Sequence, residues 1–139
     1  MDDESMDLTQ ALMVGEGNQG AREYTLRVRT KSFALKIIRL FTTLPKTPEA
    51  QVIGRQVLRS GTSVGAHYRE AFRARSLAEF ISKIEGGLQE LDETSYWLEL
   101  LTEGGLVPAE DLTSLKQEAE EIMAMLTSSA KTAKAKSQQ

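Results

Sequence analysis

The chain has 139 residues, 40% of them apolar, which suits one domain with a single core. Seventeen Lys plus Arg against twenty Asp plus Glu leave a net charge of −3, so no global basic character points to a nucleic-acid binder. The absence of Cys excludes disulfide scaffolds, cysteine zinc sites, iron–sulfur clusters and thiol nucleophiles, and the single His excludes a two-histidine metal site within one chain.

Residues 1–24 read as a mobile acidic arm, because Gly15, Gly17, Gly20 and several acids interrupt any periodicity and leave little to bury. The opening Met1-Asp2-Asp3-Glu4 is acidic where a signal peptide is basic, and no apolar run approaches the roughly 18 residues of a membrane span, so a cytoplasmic protein is expected. Gly15-Glu16-Gly17-Asn18-Gln19-Gly20 matches the dinucleotide fingerprint in letters only. That motif needs a strand–turn–helix unit with an acid about 20 residues on, and here Arg27, Arg29 and Lys31 follow.

A first helix is predicted from Leu26, Phe33, Ile37, Leu40 and Leu44, with Ala34, Ile38 and Phe41 widening the stripe. Pro45 stops it, and Thr47-Pro48 supplies an N-cap and a first-turn proline for the second helix. That helix places Ile53, Val57, Ser60, Val64, Tyr68 and Ala71 on one face. Its interior glycines, Gly61 and Gly65, each cost about 1 kcal/mol against alanine and so predict a closely approaching neighbour. Ser76-Leu77-Ala78-Glu79 forms a capping box for the third helix, whose apolar positions Leu77, Phe80, Ile81, Ile84, Leu88, Leu91, Leu98 and Leu101 run to a stop at Gly104-Gly105. The fourth helix carries Leu112, Leu115, Ala119, Ile122 and Leu126, and residues 128–139 read as a flexible tail. Residues 25–127 are thus expected to form an all-α, antiparallel up-down-up-down four-helix bundle. At the end of helix three, Tyr96, Trp97, Leu98, Leu100 and Leu101 point in nearly every direction, which predicts a second buried face and makes Tyr96, Trp97, Leu100 and Leu101 candidates for an oligomer interface.

The charges are segregated. Residues 1–21 carry five acids and no base; residues 22–75 carry twelve bases against Glu23, Glu49 and Glu70; residues 76–139 carry five bases against twelve acids. Two roles follow for the basic block: complementarity to the acidic helices three and four, or a phosphate-binding surface built on Arg55, Arg59, Arg69, Arg73 and Arg75, with Lys131, Lys134 and Lys136 as a basic extension. Arg59, beside the small-residue face, is also placed to pair with Glu90 or Glu93. His67 and Glu70 share a helix face, but without a nucleophile or a metal they suggest a hydrogen-bonding role for His67 rather than catalysis. Glu90, Asp92, Glu93 and Glu99 lack the Glu-x-x-His pairs of a carboxylate-bridged metal site. No catalytic residue, cofactor site or metal site is assigned, and a non-enzymatic protein is expected.

The segments Gly61-Thr62-Ser63-Val64-Gly65-Ala66-His67-Tyr68-Arg69-Glu70-Ala71, Arg73-Ala74-Arg75-Ser76, Ala78-Glu79-Phe80-Ile81 and Tyr96-Trp97-Leu98-Glu99-Leu100-Leu101 resemble the bacterial four-helix-bundle proteins encoded within intervening sequences of 23S ribosomal RNA genes. The likeness spans roughly Phe33 to Leu126, and many relatives carry Asn at the position of His67. It implies a homopentamer. The family's ribosomal association is genomic context, and its general biochemical function is not established. A related branch, the accessory variability protein of diversity-generating retroelements, forms a basic pentamer that binds nucleic acid and partners a reverse transcriptase. The expected function is therefore an oligomeric bundle binding RNA, DNA or a nucleic-acid-processing protein. The alternative is a structural or protein-interaction scaffold whose charges only organise the oligomer.

Overall fold

Thr47 and Ser76, the two residues predicted to cap helices, do so. The Thr47 hydroxyl accepts from the Ala50 N–H at 3.4 Å, and the Ser76 hydroxyl from the Glu79 N–H at 3.1 Å. The computed structural model describes residues 19–139 as four α-helices: α1 (Gln19–Thr43), α2 (Pro48–Ala71), α3 (Leu77–Glu103) and α4 (Ala109–Ser137). α3 ends in a Schellman motif. Gly105 adopts φ +73°, its N–H bonds to the Thr102 carbonyl at 3.1 Å, and the Leu106 N–H reaches back to the Leu101 carbonyl at 2.9 Å.

Each helix packs against its chain neighbours, and α1 also meets α4, so α1 and α3 occupy diagonal corners of an antiparallel bundle. The core contains Leu26, Phe33 and Ile37 of α1, Val57, Val64 and Tyr68 of α2, Ile84, Leu91, Leu98 and Leu101 of α3, and Leu112, Ile122 and Leu126 of α4.

The small residues of α2 are what let its neighbours approach. A Cβ on Gly61 would lie 2.8 Å from Ile37 Cγ1, and one on Gly65 would lie 3.2 Å from Thr30 Oγ1, while Gly54 sits directly beneath Leu44 and Phe41. All three glycines face α1. On the other side of α2, the buried hydroxyls of Ser60 and Thr94 are 2.7 Å apart, and each also reaches a carbonyl one turn back. Gly87 of α3 lies against the Val64 carbonyl.

Two boundaries and one facing residue differ from the sequence expectation. Residues 19–24, assigned to the arm, begin α1, and the Glu23 carbonyl accepts a bond from the Tyr68 hydroxyl at 3.3 Å. The rest of the arm, with Gly15 and Gly17, lies outside the described residues. Residues 128–137, expected to be a flexible tail, continue α4: Ala130 and Ala133 extend the buried stripe, and Lys134 pairs with Glu85 at 2.7 Å. Alanine adds little apolar signal to a sequence, yet it fills a narrow seam well. Ile38, expected in the core stripe of α1, instead faces outward and is 42% exposed.

Arg29 joins α1 to α4 through a two-pronged bond to Glu118, with both contacts at 2.9 Å, and a third contact to Glu121 at 2.6 Å. Hydrogen bonding to Glu118, then to Glu121, raises the guanidinium above its ordinary pKa. The bond from Arg29, reinforced by Gln117, holds the Glu121 carboxyl below the usual carboxylate range.

Two predictions follow. Gly61→Leu lowers stability by about 2 kcal/mol or more, because the new side chain must displace the fully buried Ile37. Adding Ile37→Ala to that variant recovers part of the loss, as read from urea midpoints at constant m. Because Glu121 has a depressed folded-state pKa, its stabilising effect is whole above about pH 4.3 and declines as pH falls through the folded value. Arg29→Gln is therefore less stable than the parent at pH 7, and the difference shrinks by pH 3 in parallel denaturation curves.

Candidate nucleic-acid interface

The five arginines proposed from sequence do not form one site. Arg55 and Arg69 lie on one outward stripe of α2 but are 14 residues apart, about 21 Å of helix. They lie in opposite halves of α2.

Arg59, between them, is engaged. Its guanidinium bonds to Glu90 at 3.2 Å and to Glu93, whose other partner is the Trp97 indole N–H at 3.2 Å. The bond to Glu93 raises the Arg59 pKa above its ordinary value and holds Glu93 below the carboxylate range, with Trp97 adding to the latter. The pairing anticipated for Arg59 thus forms within one chain, tying α2 to α3. An exposed pair of this kind contributes about 1 kcal/mol at most, so its main effect is to fix where Arg59 points. Of the four acids considered for a carboxylate cluster, Glu90 and Glu93 converge on this guanidinium while Asp92 and Glu99 are exposed.

Arg69, Arg73 and Arg75 group at the turn between α2 and α3, and local packing sets their direction. Ala74 is buried, so Arg73 and Arg75 on either side of it are turned to solvent, and Arg69 lies one helical turn before Arg73. The turn is held by the N–H of Arg73 on the Glu70 carbonyl at 3.0 Å and the N–H of Ala74 on the Ala71 carbonyl at 3.2 Å. Beneath it runs an aromatic chain in edge contact: Tyr68 on Phe72 at 5.1 Å and Phe72 on Phe80 at 5.3 Å between centroids. Arg27 covers Phe72 from α1 at 6.0 Å. All three arginines are exposed, and among the described residues none makes an ion pair. The antiparallel topology brings the C-terminal end of α4 to the same end of the bundle, with Lys131 exposed and Lys134 paired to Glu85.

Among the described residues His67 makes no side-chain hydrogen bond of the kind expected of it. Its ring packs on Gly86, where a Cβ would meet Nδ1 at 3.1 Å, and Nδ1 is buried without a hydrogen-bond partner among the described residues. Glu70, on the same face, pairs instead with Lys83 at 3.4 Å. The proposed interface residues on α3 also separate. Leu101 is fully buried in the core of its own chain, Trp97 and Leu100 are half-buried, and Tyr96 is 52% exposed. Leu101 is therefore removed from any outward surface. Sequence reasoning missed the Arg29 site, whose partners lie 89 and 92 residues away.

The family model described as 23S rRNA-intervening sequence protein matches residues 22–128, a stretch that reaches from the first turns of α1 into the second half of α4. A crystal structure of a protein of unknown function from the S23 ribosomal protein family of Bacteroides thetaiotaomicron VPI-5482 is similar at 37% identity and a TM-score of 0.75, covering 79% of this chain and 98% of that one. A comparison with curated proteins finds no match. Among the described residues no helix is long and apolar enough to cross a membrane. With the family model matched through all four helices and a solved relative of the same architecture, the chain belongs to the 23S rRNA-intervening sequence protein family.

Proposed function

We propose that this protein is a non-enzymatic, oligomeric helical bundle that binds nucleic-acid phosphates through the α2–α3 turn. The observation that carries this reading is the contrast among the arginines. Arg29 and Arg59 are held by two carboxylates each, whereas Arg69, Arg73 and Arg75 share one end of the bundle, exposed and without ion pairs among the described residues. Three guanidinium groups at one turn, unpaired among the described residues, suit phosphate oxygens, which accept two parallel N–H bonds from each.

Three phosphate contacts per chain give modest affinity and a steep salt dependence. Repetition of the turn around an oligomer multiplies that affinity through effective concentration. The pentamer implied by the family resemblance forms part of this proposal, as does a nucleic-acid-processing protein such as a reverse transcriptase as an additional partner. The scaffold alternative draws on Arg29 and Arg59, whose charges join helices. It predicts a protein that ignores nucleic acid at any salt concentration.

Fluorescence anisotropy of labelled RNA and DNA, single-stranded and duplex, tests the reading. Replacing Arg69, Arg73 and Arg75 together by Glu abolishes binding with helicity intact, and unchanged affinity overturns the site. Neutralising Arg73 alone reduces the slope of log K against log salt by about 1. Arg59→Gln, by contrast, leaves affinity unchanged and lowers the denaturation midpoint.

A further inference from the structure

The start of α1 lies at the basic end of the bundle. The Glu23 carbonyl accepts from the Tyr68 hydroxyl at 3.3 Å and the Arg27 guanidinium covers the Phe72 ring at 6.0 Å, so the first turns of α1 run beside the last turn of α2. From Glu23 back to Gln19 the helix rises about another 6 Å toward the level of Arg73 and Arg75. Most acids at this end are engaged: Glu23 with Arg27 at 2.8 Å, Glu70 with Lys83 at 3.4 Å and Glu85 with Lys134 at 2.7 Å. Arg69, Arg73, Arg75 and Lys131 are exposed without ion pairs among the described residues, and Glu79, in the first turn of α3, is an exposed acid near them.

The sequence that precedes α1 has the opposite charge. Residues 1–18, outside the described residues, hold Asp2, Asp3, Glu4, Asp7 and Glu16 and no base. The first four of these acids fall between positions 2 and 7. An extended chain advances about 3.5 Å per residue, so Asp2-Asp3-Glu4 can carry one charge at nearly the spacing of phosphates along one strand of DNA, about 3.4 Å. From Asp7 to Gln19 the chain can span up to about 42 Å, which reaches the turn with slack. A short tether of this kind holds its acids at a local concentration on the order of millimolar. The exposed cations farther along α1, Lys31 and Arg39, lie about 18 and 30 Å from Gln19, so the turn is the nearer positive surface.

We infer that the segment Asp2–Asp7 docks on Arg69, Arg73 and Arg75 of its own chain and there competes with nucleic acid. The inference rests on the phosphate-binding reading of the turn and adds its regulation. Carboxylates accept paired N–H bonds from guanidinium groups as phosphates do. Nucleic acid gains in addition from the counterions it releases, so a strand that meets all three arginines displaces the segment, while isolated phosphates do not. The segment thereby sets a threshold against weak polyanions.

Anisotropy and cross-linking on the full chain, with helicity checked by circular dichroism, test it. Replacing four acids together, Asp2→Asn, Asp3→Asn, Glu4→Gln and Asp7→Asn, is expected to tighten nucleic-acid binding about tenfold at low salt, as for a site about nine-tenths covered. Glu49→Gln, Glu103→Gln, Glu110→Gln and Asp111→Asn change the net charge equally at the opposite end of the bundle and are expected to gain far less. Equal gains from the two sets overturn the docking in favour of general repulsion, and no gain from the first set overturns the competition. Cross-linking needs no nucleic acid. Arg73→Lys keeps the charge and supplies an amine, which a carbodiimide couples to a carboxylate in contact with it. Peptide mass mapping is expected to find that bond on Asp2, Asp3, Glu4 or Asp7 at low salt and to lose it at high salt. Bonds to Glu79 or other bundle acids alone overturn the docking. A bond to the segment in a protein whose neutralised variant binds no nucleic acid overturns the phosphate-binding reading instead, and with it the competition.

Discussion

The close approach of two helices to α2 is the constraint on which the rest of the bundle depends. Gly54, Gly61 and Gly65 admit the side chains of α1, while Ser60 and Val64 accept Thr94 and Gly87 of α3. Glycine inside a helix is destabilising by itself, so the gain must lie in tertiary packing: Ile37 and Thr30 reach the α2 backbone at a depth that a Cβ would close. With α1 and α3 drawn in on either side of α2, α4 fills the remaining groove, and alanine suffices at Ala130 and Ala133.

That geometry also sorts the charges. On seams between helices, Arg29 meets Glu118 and Glu121, and Arg59 meets Glu90 and Glu93. Complementarity between the basic first half and the acidic second half of the sequence is therefore real, and it is local to two arginines. At the α2–α3 turn Arg69, Arg73 and Arg75 make no ion pair among the described residues, and the buried Ala74 turns its neighbours outward. A block that looks uniform in the sequence thus contains arginines in different settings, some held by carboxylates of a neighbouring helix and some exposed at a turn.

Much of the fold was legible because its signals are local. Thr47, Pro48, Ser76 and Gly105 act within one helical turn, and apolar steps of three and four report which face is buried. The close neighbour expected from Gly61 and Gly65 is there, in the form of Ile37 and Thr30. What escaped depends on distance along the chain or on low contrast. The Arg29–Glu118 pair spans 89 residues, and no periodicity encodes it. The last turns of α4 are marked only by alanines among lysines. Leu101 and Ile38 were misassigned for a shared reason: a helix with apolar residues on most sides does not announce which of them faces the core, and only the placement of the other helices decides.

Ile38 and Leu101 also show how the outward surface is divided. The second apolar face expected on α3 falls to Tyr96 with a half-buried Leu100, a patch smaller than the four-residue stripe of Tyr24, Val28, Leu35 and Ile38 on α1. Both lie along the sides of the bundle, whereas Arg69, Arg73 and Arg75 occupy an end. The apolar and the basic parts of the surface are therefore separated by the antiparallel topology itself, since the residues that turn a chain between helices cannot also lie along a helix side.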